Sequence, residues 1–326
     1  MIVLRTWHLA GALLLAAMPQ AASAQGSAPW PERTVQAIVP FAAGAANDIV
    51  GRIVLEQVSK QVNQPIVVEN RPGAGGTIGV TAVGKAPPNG HTLLVHSSSF
   101  SAAYSLYKSL PYDTLNDFTA VVALGKTPTV LVTSPGKGFK TAADLIAAAK
   151  AKPGAISFAS QGTGVAPHLM MEMIKKAAGI DMVHVPYRGS APALNDLVAG
   201  NVPLMMDSMI TGLPHVRAGT LKGLAVSTAK RSSLAPDIPT VAESGIPGFE
   251  AFLWYGIVAP AQTPGDIVQK LGSEIAAVMK LPEIRERLIA LGSEPAESGP
   301  ESFAAFIKSE AEKWGPIVVS SGARAE

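Results

Sequence analysis

The segment covering residues 35–54, VQAIVPFAAGAANDIVGRIV, restricts the fold more tightly than any other stretch of the chain. Val35–Val39 is an apolar, β-branched run of strand length. Pro40 has no amide hydrogen to give to a ladder, and it ends the run. Residues 41–46 are a loop of mostly small residues, and Asn47 or Asp48 is placed to cap a helix. Ile49, Val50, Ile53, Val54 and Val58 then recur at the spacing of one buried helix face. A strand that passes through a tight loop into a helix leaves the first-turn amides without internal acceptors, so they are available to an anion.

The pattern continues along the chain. Residues 66–68 read as a strand, 69–76 as a glycine-rich loop, 77–85 as a helix, 87–90 as a turn and 92–95 as a third strand followed by His96-Ser97-Ser98-Ser99. Residues 118–124 and 129–133 read as two further strands. Then the order restarts: helix 142–151, strand 156–159 and a second small-residue loop, SQGTGVA, at 160–166. Pro167 suits a helix start, residues 168–178 continue the helix, and Gly179 stops it. A strand at 182–185, a helix at 191–199, a strand at 202–206 ending at Asp207, and residues 225–227 complete this half. A strand at 252–258 and three helices follow, the first with Ile267, Val268, Leu271, Ile275 and Val278 on one face, the second at 283–291. Pro300 opens the third, with Phe303, Phe306, Ile307 and Trp314 facing inward. This alternation predicts an α/β protein in two halves, each a mixed, mostly parallel sheet flanked by helices. Ligands of such sheets bind beyond the carboxyl ends of the strands. Loops 41–47 and 160–166 both follow strands and precede helices, so two separate domains would set them face to face across a cleft.

Composition narrows the function. A formal charge of +2 gives no footing for nucleic acid, and the absence of cysteine excludes disulfides, thiolate metal sites and thiol catalysis. Arg5, the apolar run LAGALLLAAM at 9–18, Pro19 and Ala22-Ser23-Ala24 form the three parts of an export signal cleaved near Ala24, predicting a periplasmic protein. The enzyme alternative is thin. GAGGTIG at 73–79 has isoleucine where a dinucleotide fingerprint needs its third glycine, and no acidic residue stands about 20 positions on. There is no G-x-S-x-G and no H-E-x-x-H, and His91, His96, His168, His184 and His215 do not pair at metal-ligand spacing. No catalytic residue, cofactor or metal is expected.

Five stretches carry a resemblance: IVPFAAGAAND (38–48), VVENRPGAGG (67–76), VHVPYRGSAPALNDLVAG (183–200), GLAVSTAKRSSLAPDIPTVAESGIPGFEA (223–251) and WGPIVVSSGA (314–323). Together they make the chain resemble the periplasmic solute-binding receptors of tripartite tricarboxylate transporters, the Bug or TctC-like family. The resemblance implies a two-domain periplasmic-binding-protein (Venus flytrap) fold with two crossing strands as hinge. Residues 25–123 plus 254–326 would form one domain and 124–253 the other. It also implies a small carboxylate held by main-chain amides of the two loops, delivery to membrane subunits of the transporter, and no chemistry on the ligand. A monomer is the expectation. A sensor that presents the carboxylate to a membrane histidine kinase would need the same fold.

Carried onto this sequence, the first ligand loop is Phe41, Ala42, Gly44, Ala46, Asn47 and Asp48. Alanines stand at 42, 43 and 45 where the family has prolines and a glycine, and the Cβ of Ala45 disfavours positive φ. Asp48 would repel a carboxylate, so a cap or loop brace suits it better than a ligand contact. The second loop is Gly162, Thr163, Gly164, Val165 and His168. It has fewer hydroxyls than its relatives, and Pro167 removes an amide, which points to a partly apolar ligand. His168 is either a contact or packed. Ser97 and Ser98 are either cleft lining or plain loop. Tyr187 and Asp207 either face the cleft or support it.

Overall fold

The computed structural model describes residues 30–321; the export-signal reading lies outside them. The chain runs β1 (Val35–Val39), α1 (Ala46–Val62), β2 (Ile66–Asn70), α2 (Thr77–Gly84), β3 (Thr92–Ser97), α3 (Ser99–Leu106), β4 (Phe118–Thr127) and β5 (Thr129–Thr133). It goes on through α4 (Ala142–Ala151), β6 (Ser157–Ser160), α5 (Ala166–Ala178), β7 (Val183–Pro186), α6 (Ser190–Val198), β8 (Leu204–Ser208), α7 (Met209–Arg217) and β9 (Lys222–Val226). It closes with β10 (Leu253–Pro260), α8 (Gly265–Met279), α9 (Pro282–Ala290), β11 (Glu294–Pro295) and α10 (Pro300–Ser321).

Two sheets result, one of order β11-β4-β10-β3-β1-β2 and one of order β7-β6-β8-β5-β9. Both are mixed. The parallel share is smaller than the βα alternation predicts: β1 is parallel to β2 and β3, and β6 to β7 and β8, while every named pairing of β4, β5 and β10 is antiparallel. The physical reason is connectivity. A parallel neighbour needs a crossover helix, but β4 passes directly to β5 through Pro128 and β10 arrives from the other sheet. These two connections are laced together by Ser227. Its Oγ accepts from the Thr129 amide at 2.9 Å and donates to the Ala251 carbonyl at 2.7 Å.

Each sheet buries its faces under helices. Val35, Ala37 and Val39 of β1 share a core with Val50, Ile53, Val54 and Val58 of α1, and Val268, Leu271, Ile275 and Val278 of α8 join it. Ile38, Leu94, Trp254 and Phe303 pack on the opposite face, between the sheet and α10. The second sheet sets Leu131, Phe158 and Met206 against Leu169 and Ile174 of α5, and Val130 and Met205 against Leu194, Leu197 and Leu213.

Two helices, α3 and α7, are absent from the sequence reading. Both start within one residue of a strand's end, with no intervening loop, and both have weak helical sequences, SFSAAYSL and MITGLPHVR, the second with Pro214 inside. Their positions matter, because both begin at the site.

Candidate functional site

A cavity of about 50 Å³ opens between the two sheets. A water molecule needs roughly 10–15 Å³ of such space, so the cavity is on the scale of a small solute. Five helices start at its wall: α1 at Ala46 and Asn47, α3 at Ser99, α5 at Val165 and Pro167, α6 at Ser190 and α7 at Ser208. Each helix start carries the equivalent of about half a positive charge. Phe41, Leu253 and Tyr255 add apolar surface.

The N-caps differ from helix to helix. Surface helix α4 is closed by a complete capping box between Thr141 and Asp144. Helices α1 and α5 begin instead at Ala45 and Val165, whose side chains cannot accept a hydrogen bond. The capping role expected of Asn47 or Asp48 is therefore corrected: the cap is Ala45, two residues before Asn47, and it is apolar. Ala45 needs no left-handed backbone, because its φ is −66° while Gly44 carries the +80°. Ala45, Phe41 and Val165 form a small buried apolar cluster between the lobes.

Asp48 lies beneath the first loop as a brace. Its Oδ2 accepts from the Gly44 amide at 2.9 Å, and its Oδ1 accepts from Arg52 Nε and Asn70 Nδ2, each at 2.9 Å. Asn70 Nδ2 also donates to the Phe41 carbonyl at 3.0 Å. The Gly44 amide is thus spent on Asp48, and the open donors of this lobe are those of the first turn of α1. Asn47 is 97% buried, and its Nδ2 has no partner among the described residues.

The second loop is held by two histidines. The Gly164 amide donates to His168 Nδ1 at 3.0 Å, which fixes the ring proton on Nε2. His168 stacks on His184 with centroids 3.7 Å apart, and both stack near Phe158. Ser160 Oγ lies 2.6 Å from His184 Nε2 and donates to the Gly162 carbonyl. Burial, with the neighbouring His184 and Lys175, lowers the His168 pKa to about 3; burial and Lys175 lower that of His184 to about 4. His168 is therefore neutral, and its approach to Glu172 at 3.7 Å is no ion pair. The packed alternative describes it. The Ala166 amide donates across the cleft to Ser99 Oγ at 3.2 Å.

The floor is a buried polar network. Asp207 Oδ1 accepts from Gln161 Nε2 at 2.6 Å and from Ser190 Oγ at 3.1 Å, and its Oδ2 accepts from Thr211 Oγ1 at 2.6 Å. Burial raises the Asp207 pKa, and these hydrogen bonds oppose the rise. Tyr255 and Ser208 share a hydrogen bond of 3.1 Å beside it.

Of the residues selected from sequence, Phe41, Ala46, Asn47, Ser97 and Val165 line the cavity. Ala42 stands at the rim against Gly189, and Gly162 and Thr163 lie across the lip from Gly75. Gly164 packs on Leu106. Ser98 is fully buried and pinned to Trp254, its Oγ accepting the Trp254 amide at 2.8 Å. Tyr187 donates its hydroxyl to Asp196 at 2.7 Å, and Asp207 lies behind Gln161 and Ser190. The sequence reading missed Ser99, Gln161, Ser190, Ser208, Leu253 and Tyr255 as lining. Ser190 follows a strand and opens a helix, which is the very signal used at 41–47; Tyr255, inside a strand, carried none.

The chain was compared with known proteins. The family model described as "Tripartite tricarboxylate transporter family receptor" matches residues 50–322. The chain is 38% identical to the UPF0065 protein of the tcbD-tcbE intergenic region of Pseudomonas sp., over 95% of this chain and 93% of that one. It is 36% identical to Protein BugT of Bordetella pertussis, over 90% and 91%. Among solved structures, the periplasmic binding protein BugD superposes with a TM-score of 0.87 at 35% identity, covering 91% of this chain and all of BugD. R. palustris Rpa4515 with adipate gives 0.88 at 32% identity over 90% and 99% of the chains. MatC of Rhodopseudomonas palustris with bound malate gives 0.84 at 33% identity over 89% and 100%. With its two mixed sheets around a helix-ringed cavity, this chain belongs to the tripartite tricarboxylate transporter receptor family, the Bug/TctC-like periplasmic solute-binding proteins.

Proposed function

We propose that the protein captures a small carboxylate in the cavity between its two lobes, in the periplasm, and hands it to the membrane subunits of a tripartite tricarboxylate transporter. One observation carries the reading: five helix N-termini meet at one cavity, and the two that oppose each other across it, α1 and α5, lack side-chain caps. The first-turn amides of α1 have no side-chain acceptor, whereas in α5 the Ala166 amide is taken by Ser99 and Pro167 has none, so α5 contributes chiefly its dipole; both dipoles favour a negative ligand. The adipate and malate carried by two structural relatives support the same ligand class.

In this reading Phe41, Ala46, Asn47, Ser97 and Val165 touch the ligand. Ala42, Gly44, Asp48, Ser98, Gly162, Thr163, Gly164, His168, Tyr187 and Asp207 shape the two loops and the floor. The lobes meet at the β4–β5 connection and just before β10, so residues 124–127 stay with the first lobe's sheet. Ligand contacts to both lobes favour the closed form, which the membrane subunits then recognise. No step of the cycle alters a covalent bond of the ligand.

The test is native mass spectrometry of protein purified without denaturation, followed by calorimetric titration of the released compound and of dicarboxylates, amides and sugars of similar size. Retention and rebinding of a carboxylate, with amides and sugars silent, is expected. A neutral ligand as the preferred one would overturn the reading.

A further inference from the structure

The floor of the cavity holds buried acceptors. Gln161 is anchored: its Nε2 donates to Asp207 Oδ1, and the same carboxyl group also accepts from Ser190 and Thr211. The carboxyl group that takes three side-chain donors is an acceptor site, and against it an amide turned the other way would set oxygen against oxygen, which favours this orientation. Gln161 lines the cavity, and its Oε1 is buried with no donor among the described residues. Ser190, on the same Asp207 oxygen, spends its proton there and likewise turns lone pairs outward. Asn47 differs. It has no anchoring bond on its amide, its Nδ2 is buried without an acceptor, and it stands in the first turn of α1.

The lining thus offers groups of both kinds: donors at the helix starts, with Asn47 Nδ2 among them, and on the second lobe the acceptors Gln161 Oε1 and Ser190 Oγ. A plain carboxylate answers the donors and leaves the acceptors unmet, and a buried acceptor left without a donor costs about 1–3 kcal/mol. Resting on the carboxylate reading above, we infer that the ligand is a hydroxy acid, whose hydroxyl donates to Gln161 Oε1 while its carboxylate sits at the head of α1. An ammonium could also donate, but it would face five positive helix ends at close quarters. A hydroxyl meets the acceptor without that charge. Gln161 is thus a specificity residue, held in place by Asp207.

Two matched pairs test this, succinate against malate and phenylacetate against mandelate, with aspartate as the ammonium arm, all by calorimetry at pH 7. At least one pair is expected to bind, with the hydroxylated member tighter by roughly tenfold or more. In Gln161→Met, which keeps the length and removes the acceptor, the ratio within that pair is expected to fall to about one, while the unhydroxylated acid stays within about threefold of its wild-type affinity. The wild-type ratio is informative even if the variant does not fold. A wild-type ratio near one, or a ratio that Gln161→Met leaves unchanged, overturns the assignment and leaves carboxylate capture standing. Aspartate binding as tightly as malate makes the donor an ammonium and overturns the hydroxyl. Silence from all five acids overturns this inference together with the reading beneath it.

Discussion

Asp48 shows how one side chain can serve a ligand loop without touching the ligand. It is 97% buried, and it gathers the Gly44 amide, Arg52 and Asn70 onto one carboxylate. Asp48→Ala leaves the Gly44 amide without its acceptor and releases Arg52 and Asn70 from the brace, so a stability loss of about 1–3 kcal/mol is expected in urea denaturation, together with weaker binding. Unchanged stability would remove the brace. A second residue-scale expectation concerns acid. Burial lowers His96 and His184 to about 4 and His168 to about 3, against an ordinary value of 6.5. Between those limits the unfolded chain takes up protons that the folded chain refuses, so stability falls as pH falls. Denaturation midpoints should be level above pH 7 and drop steadily from pH 6.5 toward 4. A flat profile over that range would contradict neutral, buried rings. Residue roles were the least legible part of the sequence. The brace role of Asp48 could be argued, since a carboxylate repels its like. The placing of Gln161 on Asp207, 46 positions away, and of Tyr255 on Ser208, 47 away, could not, because only tertiary folding brings them together.

At the level of elements, the informative feature is the apolar cap of α1. Thr141 closes α4 with a capping box, whereas Ala45 leaves the first-turn amides of α1, at the cavity, without a side-chain acceptor. Ala45→Ser puts a hydroxyl acceptor at a cap position whose backbone, φ −66° and ψ 155°, already suits it. The fold should gain about 0.5–1 kcal/mol, and carboxylate affinity should fall, because the new side chain competes for the same amides. Thermal melts and calorimetry on one preparation check both signs. A variant that is more stable and binds equally well would show that those amides do not hold the ligand. Elements were well legible where the hydrophobic period is strong: α4 falls on 142–151 as read, and the strands of β1 and β5 match to the residue. They were illegible at α3 and α7, where a helix follows a strand without a loop and serine, glycine and proline weaken the pattern. The mixed character of the sheets was hidden too, because direction depends on how a strand is reached and not on its composition.

On the scale of the whole molecule, the contacts between the lobes include the apolar cluster of Phe41, Ala45 and Val165 and several points where a glycine lets the other lobe approach closely. A Cβ on Gly164 would fall 1.6 Å from Leu106 Cδ2, and the φ of +76° there already disfavours one. Ala42 meets Gly189 at the other side of the rim. Gly164→Ala should hinder closure, and the expected result is at least tenfold weaker binding, with a radius of gyration by X-ray scattering that no longer shrinks on adding ligand. Pairing it with Leu106→Ala should restore part of the shrinkage; a variant that closes like the wild type would contradict the rim's role. The measurement that bears most directly on the central claim is a crystal structure with the retained acid bound. The expected result places a carboxylate oxygen about 2.7–3.2 Å from first-turn amides of α1, with the rest of the molecule reaching toward the start of α5. A carboxylate held by lysine or arginine side chains elsewhere, with those amides facing only solvent, would contradict it.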